Sequence, residues 1–88
     1  MATRTATIAS SVGLHARPAA IFAAAAADTG LDVLIGRPGE EAVDAGSILA
    51  LMALGVKHGE EVVLTALGDG ADTSLIALAN LLATDLDA

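Results

Sequence analysis

The sequence predicts an α+β domain with the element order β-α-β-β-α-β-α, one sheet carrying its helices on a single face. Two observations lead there. The chain is 88 residues long, with no linker and no internal repeat, so residues 1–88 are expected to form a single domain. Area scaling for that length leaves roughly 4,700 Å² exposed out of roughly 12,500 Å² unfolded, so about 62 % can be buried in one modest core. Strand-like and helix-like segments also follow one another closely. Helices in so short a chain bury their apolar sides against one sheet, whose other side stays wet.

Each element has a local cause. Arg4 to Ala9 alternates Thr5 and Thr7 with Ala6 and Ile8, the pattern of a half-buried strand. Ser10 to Gly13 is a loop. Pro18 suits the first turn of a helix, where its missing N–H costs nothing. That helix is expected to pass through Ile21, Phe22 and the alanine run to about Asp28, with Gly30 stopping it. Asp32 to Gly36 is a strand built on Val33, Leu34 and Ile35. Arg37-Pro38-Gly39-Glu40 favours a type II turn, and Glu41 to Asp44 can return as a short strand, closing a hairpin. Ser47 is a good N-cap for a helix from Ile48 to Leu54, ended by Gly55. Glu60 to Leu67 is the clearest strand, with β-branched Val62, Val63 and Thr65. Asp69 or Asp72 is expected to cap a last helix that aligns Leu75, Leu78, Ala79 and Leu82 on one face.

Composition excludes several function classes. Four basic and eleven acidic residues give a net charge of −7, which opposes non-specific binding to nucleic acid. With no Trp, no Tyr and only Phe22 as an aromatic, no platform exists for stacking bases. There is no Cys, hence no disulfide and no thiolate metal site. The two histidines, His15 and His58, are far apart and show no metal-ligand spacing. Gly68-Asp69-Gly70-Ala71-Asp72 lacks the repeated oxygen ligands of a calcium loop. The longest apolar run, Pro18 to Ala27, is about half a membrane span, and no signal-peptide pattern opens the chain. These features predict a soluble cytoplasmic domain with no metal and no cofactor.

One segment carries chemistry: Gly13-Leu14-His15-Ala16-Arg17-Pro18-Ala19. If Pro18 marks a helix start, His15 lies at or just before that start. The N–H groups of Ala16 and Arg17 are then donors with no helical partner, at the positive end of the dipole. The Arg17 guanidinium can engage phosphate oxygens in two places. A neutral imidazole nucleophile facing such an anion hole is suited to carrying a phosphoryl group. His58, within Lys57-His58-Gly59, is expected to be a solvated loop histidine.

GLHARPA resembles the phosphorylation-site motif of the HPr family, the histidine-containing phosphocarriers of the phosphoenolpyruvate-dependent sugar phosphotransferase system. The likeness runs the length of the chain and includes Gly46-Ser47-Ile48-Leu49 through Leu54-Gly55-Val56. It implies an open-faced β-sandwich, four antiparallel strands covered on one face by three helices. It implies that His15 accepts the phosphoryl group on Nδ1, that Arg17 assists transfer, and that Ser47 is a regulatory phosphorylation site in members controlled by a serine kinase. Leu49 and Met52 would form an apolar docking patch. From the residues alone, either the Leu49/Met52 face or the Ile48/Leu51 face of that helix could be core. The implied partners are enzyme I and the A domains of enzyme II sugar permeases, with the chain a monomeric, stoichiometric carrier rather than an enzyme. The sequence departs from the family pattern at Val12, where a small polar residue is usual. It departs again at Gly46, where kinase-controlled members often carry Lys, and in the alanine-rich first helix.

A reading from another class is an acyl carrier protein, also small and acidic and modified on a serine at a helix start. Asp44-Ala45-Gly46-Ser47 separates the Asp from the Ser, and such carriers are all-helical, so strand content discriminates. A third reading, a regulatory paralogue that binds partners without carrying phosphate, is disfavoured by the presence of both His15 and Arg17.

Overall fold

The computed structural model describes residues 1–86. Its elements are β1 (Ala2–Thr7), α1 (Ala16–Asp28), β2 (Leu34–Gly36), β3 (Val43–Asp44), α2 (Ile48–Leu54), β4 (Glu61–Ala66) and α3 (Ala71–Leu82). The four strands form one antiparallel sheet in the order β1-β4-β2-β3. This is the α+β arrangement expected, and the sheet excludes the all-helical alternative.

Sheet register follows from alternation. Ala6 and Ile8 are buried while Thr3, Thr5 and Thr7 are exposed. Opposite them on β4, Val62, Leu64 and Ala66 point inward, with Ala6 paired to Val62 and Ala2 to Ala66. The wet face carries the threonines, with Leu34 and Val63 among them. A slip of one residue would reverse every one of these assignments.

The helices cover the other face through small and branched side chains. Ala19, Phe22, Ala23 and Ala26 of α1 are buried, spaced as one helical stripe. Leu75, Leu78, Ala79 and Leu82 of α3 are buried as expected and pack against β1 and β4. In α2 the alternative left open by the sequence resolves to Leu51, fully buried, while Leu49 is 80 % exposed. This seven-residue helix buries one side chain fully, with Met52 and Leu54 partly buried against the core.

Strand limits move. β1 starts and ends two residues earlier than expected, because Ile8 and Ala9 leave the ladder. Ile8 donates to the Glu60 carbonyl (2.9 Å), and Ala9 donates to the Leu82 carbonyl (2.9 Å) at the end of α3. β2 and β3 are shorter than Asp32–Gly36 and Glu41–Asp44, and β4 loses one residue at each end. The hairpin turn forms as read: Glu40 donates to the Arg37 carbonyl at 3.0 Å, with Gly39 at φ 78°. The expected cap of α3 does not form. Gly70 is its N-cap, in the left-handed region, and neither Asp69 nor Asp72 supplies a side-chain capping bond. Asp72 lies inside the first turn, where its charge complements the dipole without accepting an N–H.

One polar network ties the hairpin to the rest of the layer. Arg37 Nε donates to Glu60 Oε1 at 3.0 Å, and Nη2 to Oε2 at 3.2 Å. The same guanidinium donates to the carbonyls of Leu54 (2.7 Å) and Gly55 (3.1 Å). Glu60 Oε2 also accepts the Lys57 N–H at 2.6 Å. Helix α2 has no basic residue in its own last turn, so Arg37 supplies from another element the cation its C-terminal carbonyls favour.

Two outcomes are expected. Leu51→Ala should cost about 2–5 kcal/mol in urea unfolding, because it opens a cavity, whereas Leu49→Ala should change stability by under about 0.5 kcal/mol. Similar costs would mean that α2 is rotated. The second concerns acid. Hydrogen bonds from Arg37, and then from Lys57, hold the Glu60 carboxyl below the usual carboxylate range. A depressed value means that the stabilisation is complete above the ordinary glutamate value of about 4.3 and is lost as pH falls through the lower folded value. The urea midpoint of Glu60→Gln, measured against that of the wild type from neutral pH downward, should therefore converge on it in acid. A constant difference across that range would show that the carboxylate charge contributes nothing.

Candidate functional site

The loop from Ser10 to Leu14 delivers His15 to the start of α1. Gly13 has φ 70° and donates to the Ser10 carbonyl at 3.0 Å. A side chain there would be excluded twice over. It would need the left-handed region, and its Cβ would lie 2.4 Å from the Val56 carbonyl oxygen and 2.9 Å from Lys57 Cα. That close approach lets the Leu14 N–H reach the same Val56 carbonyl at 3.1 Å. Leu14 then buries its side chain, at 2 % exposure, so the residue before His15 is fixed by both backbone and side chain.

His15 is the N-cap residue of α1, with extended backbone (φ −123°, ψ 150°) and no side-chain capping bond. Its ring is exposed rather than turned back onto the helix. Ala16 follows at φ 43°, a left-handed conformation that costs a residue with a Cβ about 1–2 kcal/mol. Strain of this kind persists only where neighbouring structure over-determines the backbone. Here Leu14 is anchored on one side. Pro18 and Ala19 are buried on the other.

The start of α1 leaves backbone donors open. Helix α1 begins at Ala16, so the N–H groups of Ala16 and Arg17 have no acceptor one turn back, and Pro18 has none to offer. No acidic residue lies in this first turn. Arg17 is exposed, and among the described residues its guanidinium makes no hydrogen bond or ion pair. It is held in reserve, in contrast to Arg37. His15, Ala16 and Arg17 are thus consecutive, exposed residues at one helix end. Two surface hollows lie elsewhere, one lined by Met1 and Gly68 to Thr73, the other by Met1, Leu34, Thr65 and Leu67 among others. His15 and Arg17 line neither of these, and both are exposed.

Of the other residues singled out, Ser47 caps α2, accepting the Ala50 N–H at 3.1 Å. Gly46 before it donates to Asp44 Oδ1 at 2.9 Å, a local turn that a longer side chain is not needed to make. Leu49 is exposed, as the family pattern implies, and Ile48 beside it is 45 % exposed. Met52 is only half-exposed and packs against the core, so the apolar surface of α2 centres on Ile48 and Leu49 rather than on Leu49 and Met52 equally. Val12 is 50 % exposed at the loop tip.

Two features were not legible in sequence. His58 is exposed, as expected, yet its Nδ1 lies 3.2 Å from the Ala9 carbonyl and 3.3 Å from that of Ser10, tethering the loop that leads to His15. Ser10 is 2 % exposed, and its hydroxyl has no partner. No local pattern marks a contact across 48 or 49 residues. A glycine before Leu14-His15 did carry a usable signal, since a positive φ or a close approach is what such a position most often needs. Among the described residues no cluster of His, Asp or Glu could hold a metal ion.

Comparison with known proteins places this site in a family. The family model described as the PTS HPr component phosphorylation site matches residues 2–84. The phosphocarrier protein HPr of Streptomyces coelicolor is 44 % identical over 87 residues, covering 99 % of this chain and 94 % of that protein. The phosphocarrier protein HPr of Haloferax volcanii is 46 % identical over 82 residues, covering 92 % of each. The crystal structure of HPr-C-His from Thermoanaerobacter tengcongensis superposes with a TM-score of 0.85 at 36 % identity, over 93 % of this chain and 91 % of that one. A match of this extent in sequence and in fold, with an exposed histidine at the first helix start, shows that the chain belongs to the HPr family, the phosphocarrier proteins of the phosphotransferase system.

Proposed function

We propose that His15 accepts a phosphoryl group from phosphorylated enzyme I, with phosphoenolpyruvate as the ultimate donor, and passes it to the A domain of a sugar-specific enzyme II permease. The observation that carries this reading is the exposed imidazole at the N-cap of α1, beside two N–H donors without helical partners and an uncommitted guanidinium. In the forward step the lone pair on Nδ1 of His15 attacks phosphorus. The donor's P–N bond breaks as the new one forms, and the bonding pair returns to the donor imidazole. The negative charge of the phosphoryl oxygens falls where Ala16, Arg17 and the helix dipole can meet it. Because both partners are nitrogen ligands of phosphorus, the exchange needs positioning and charge stabilisation rather than a metal or cofactor in this chain.

The chain acts as a carrier, loaded and unloaded once per cycle in the cytoplasm, and every group used comes from one monomer. The exposure of His15 at the start of α1 suits a protein as its reaction partner. Ile48 and Leu49, exposed on α2, supply the apolar centre of a docking surface, with Met52 at its inner margin. Sugar choice belongs to the permeases. Ser47 is a cap first. Phosphorylation there by a serine kinase would add charge beside the docking residues and slow transfer, and Gly46 in place of lysine argues against heavy use of that control.

Mixing the protein with phosphoenolpyruvate and enzyme I should add one acid-labile phosphoryl group, seen by intact mass. His15→Ala should abolish the gain while changing stability by under about 0.5 kcal/mol, since the ring is exposed and unbonded. Continued phosphorylation of that variant would overturn the assignment. Leu49→Asp should weaken enzyme I binding without unfolding the protein, because the complex would bury an unpaired charge at a cost of several kcal/mol. Ser47→Ala should cost about 1 kcal/mol of stability and leave transfer unchanged, whereas Ser47→Asp should fold normally and transfer slowly. Equal transfer by the two Ser47 variants would remove α2 from the docking surface.

A further inference from the structure

We infer that Arg37 and Glu60 are positioning residues for His15, holding the loop after α2 so that it in turn holds the loop carrying the acceptor; this rests on His15 being the phosphoryl acceptor. The link is an unbroken run of backbone groups. Arg37 takes the carbonyls of Leu54 and Gly55 at 2.7 and 3.1 Å. Glu60 takes the N–H of Lys57 at 2.6 Å. Between them stands the Val56 carbonyl, which accepts the Leu14 N–H at 3.1 Å. Leu14 is the residue before His15.

The Val56 carbonyl shares one planar peptide with the Lys57 N–H that Glu60 holds, and the peptide before it carries the Gly55 carbonyl that Arg37 holds, so the two side chains together set its direction. Tolerance at this contact is small, because Gly13 lies so close to Val56 and Lys57 that no Cβ fits. The same segment grips the acceptor loop at its other end, where Ile8 bonds with both Glu60 and Gly59 at 2.9 and 2.8 Å. A planar guanidinium is the side chain that can do this. It meets a carboxylate with two N–H groups and still reaches two carbonyls, which a lysine ammonium on its flexible stem does not match. The pair is partly screened from solvent, with side-chain exposures of 27 % and 35 %. Neither side chain bonds to His15, Ala16 or Arg17, and their effect on transfer runs through Leu14.

The test compares wild type and Arg37→Met at a temperature where circular dichroism shows both folded, with Arg37→Lys replacing Arg37→Met if the latter does not fold. Wild type is first loaded by phosphoenolpyruvate and enzyme I, and the phosphoryl group is mapped to His15. Failure there removes the acceptor reading and this inference with it. With a competent wild type, Arg37→Met should lower the kcat of enzyme I for the carrier about tenfold, the scale expected from a sub-ångström misplacement of a reacting group. The KM should move by less than about threefold, because Leu49 lies at the opposite end of α2. Amide hydrogen exchange at Leu14 should rise about tenfold in the same variant. A folded variant with wild-type kcat overturns the inference and leaves the acceptor reading intact. A lowered kcat with unchanged Leu14 exchange overturns it too, since the effect would then bypass the proposed route.

Discussion

Leu14 donates to the Val56 carbonyl at 3.1 Å across a glycine that leaves no room for a Cβ, and the arrangement of the site depends on this contact. It joins the loop before α1 to the loop after α2, two segments more than 40 residues apart. Once it is made, the buried Leu14 side chain fixes the chain on one side of His15. Buried Pro18 and Ala19 fix it on the other. The three residues between have little freedom left, and Ala16 takes up the difference in a left-handed conformation. An anion site of backbone N–H groups needs this kind of external constraint. The groups have no partners of their own to hold them in place.

The four basic residues of the chain are used unequally. Arg37 is committed to a carboxylate and two carbonyls. Arg17 is exposed at the start of α1 with no bond among the described residues. The protein carries a net charge of −7, yet no acidic residue lies in the first turn of α1. A guanidinium without a partner among the described residues, at a dipole's positive end, is the feature on which the proposed phosphoryl site rests. An alanine-rich α1 suits this division of labour. Small side chains let the helix lie close to α2 and α3, so the site sits on a rigid element although it needs few polar groups.

Helix α2 divides its apolar residues between the core and the surface. On α2, Leu51 is committed to the core and Leu49 to solvent, while the Ser47 cap stabilises the helix start through its own hydroxyl. A short helix with one buried side chain can present an apolar face outward without losing its anchor. This exposed apolar face is the one that the proposed docking of enzyme I would use. It stands here on the same layer as His15, since α1 and α2 pack together.

The sequence by itself determined whatever depends on neighbours along the chain. Alternation set which residues of β1 and β4 face inward, Pro18 and Gly30 bounded α1, Ser47 and Gly55 bounded α2, and the Arg37–Glu40 turn closed the hairpin. Each is a local steric or hydrogen-bonding preference. His15 and Arg17 were legible as candidates for the same reason, because a helix start creates its unpaired donors locally. Only the tertiary structure decided the rest. It ended β1 at Thr7, because Ile8 and Ala9 bond instead to Glu60 and Leu82. It placed Gly70 rather than an aspartate at the start of α3. It chose Leu51 over Leu49 for the core and half-buried Met52, a choice that depends on which elements lie beside α2. It brought Arg37 to Glu60 across 23 residues and His58 to the acceptor loop across 48. Partners at such separations follow from how the layers pack, which no local pattern of residue types encodes.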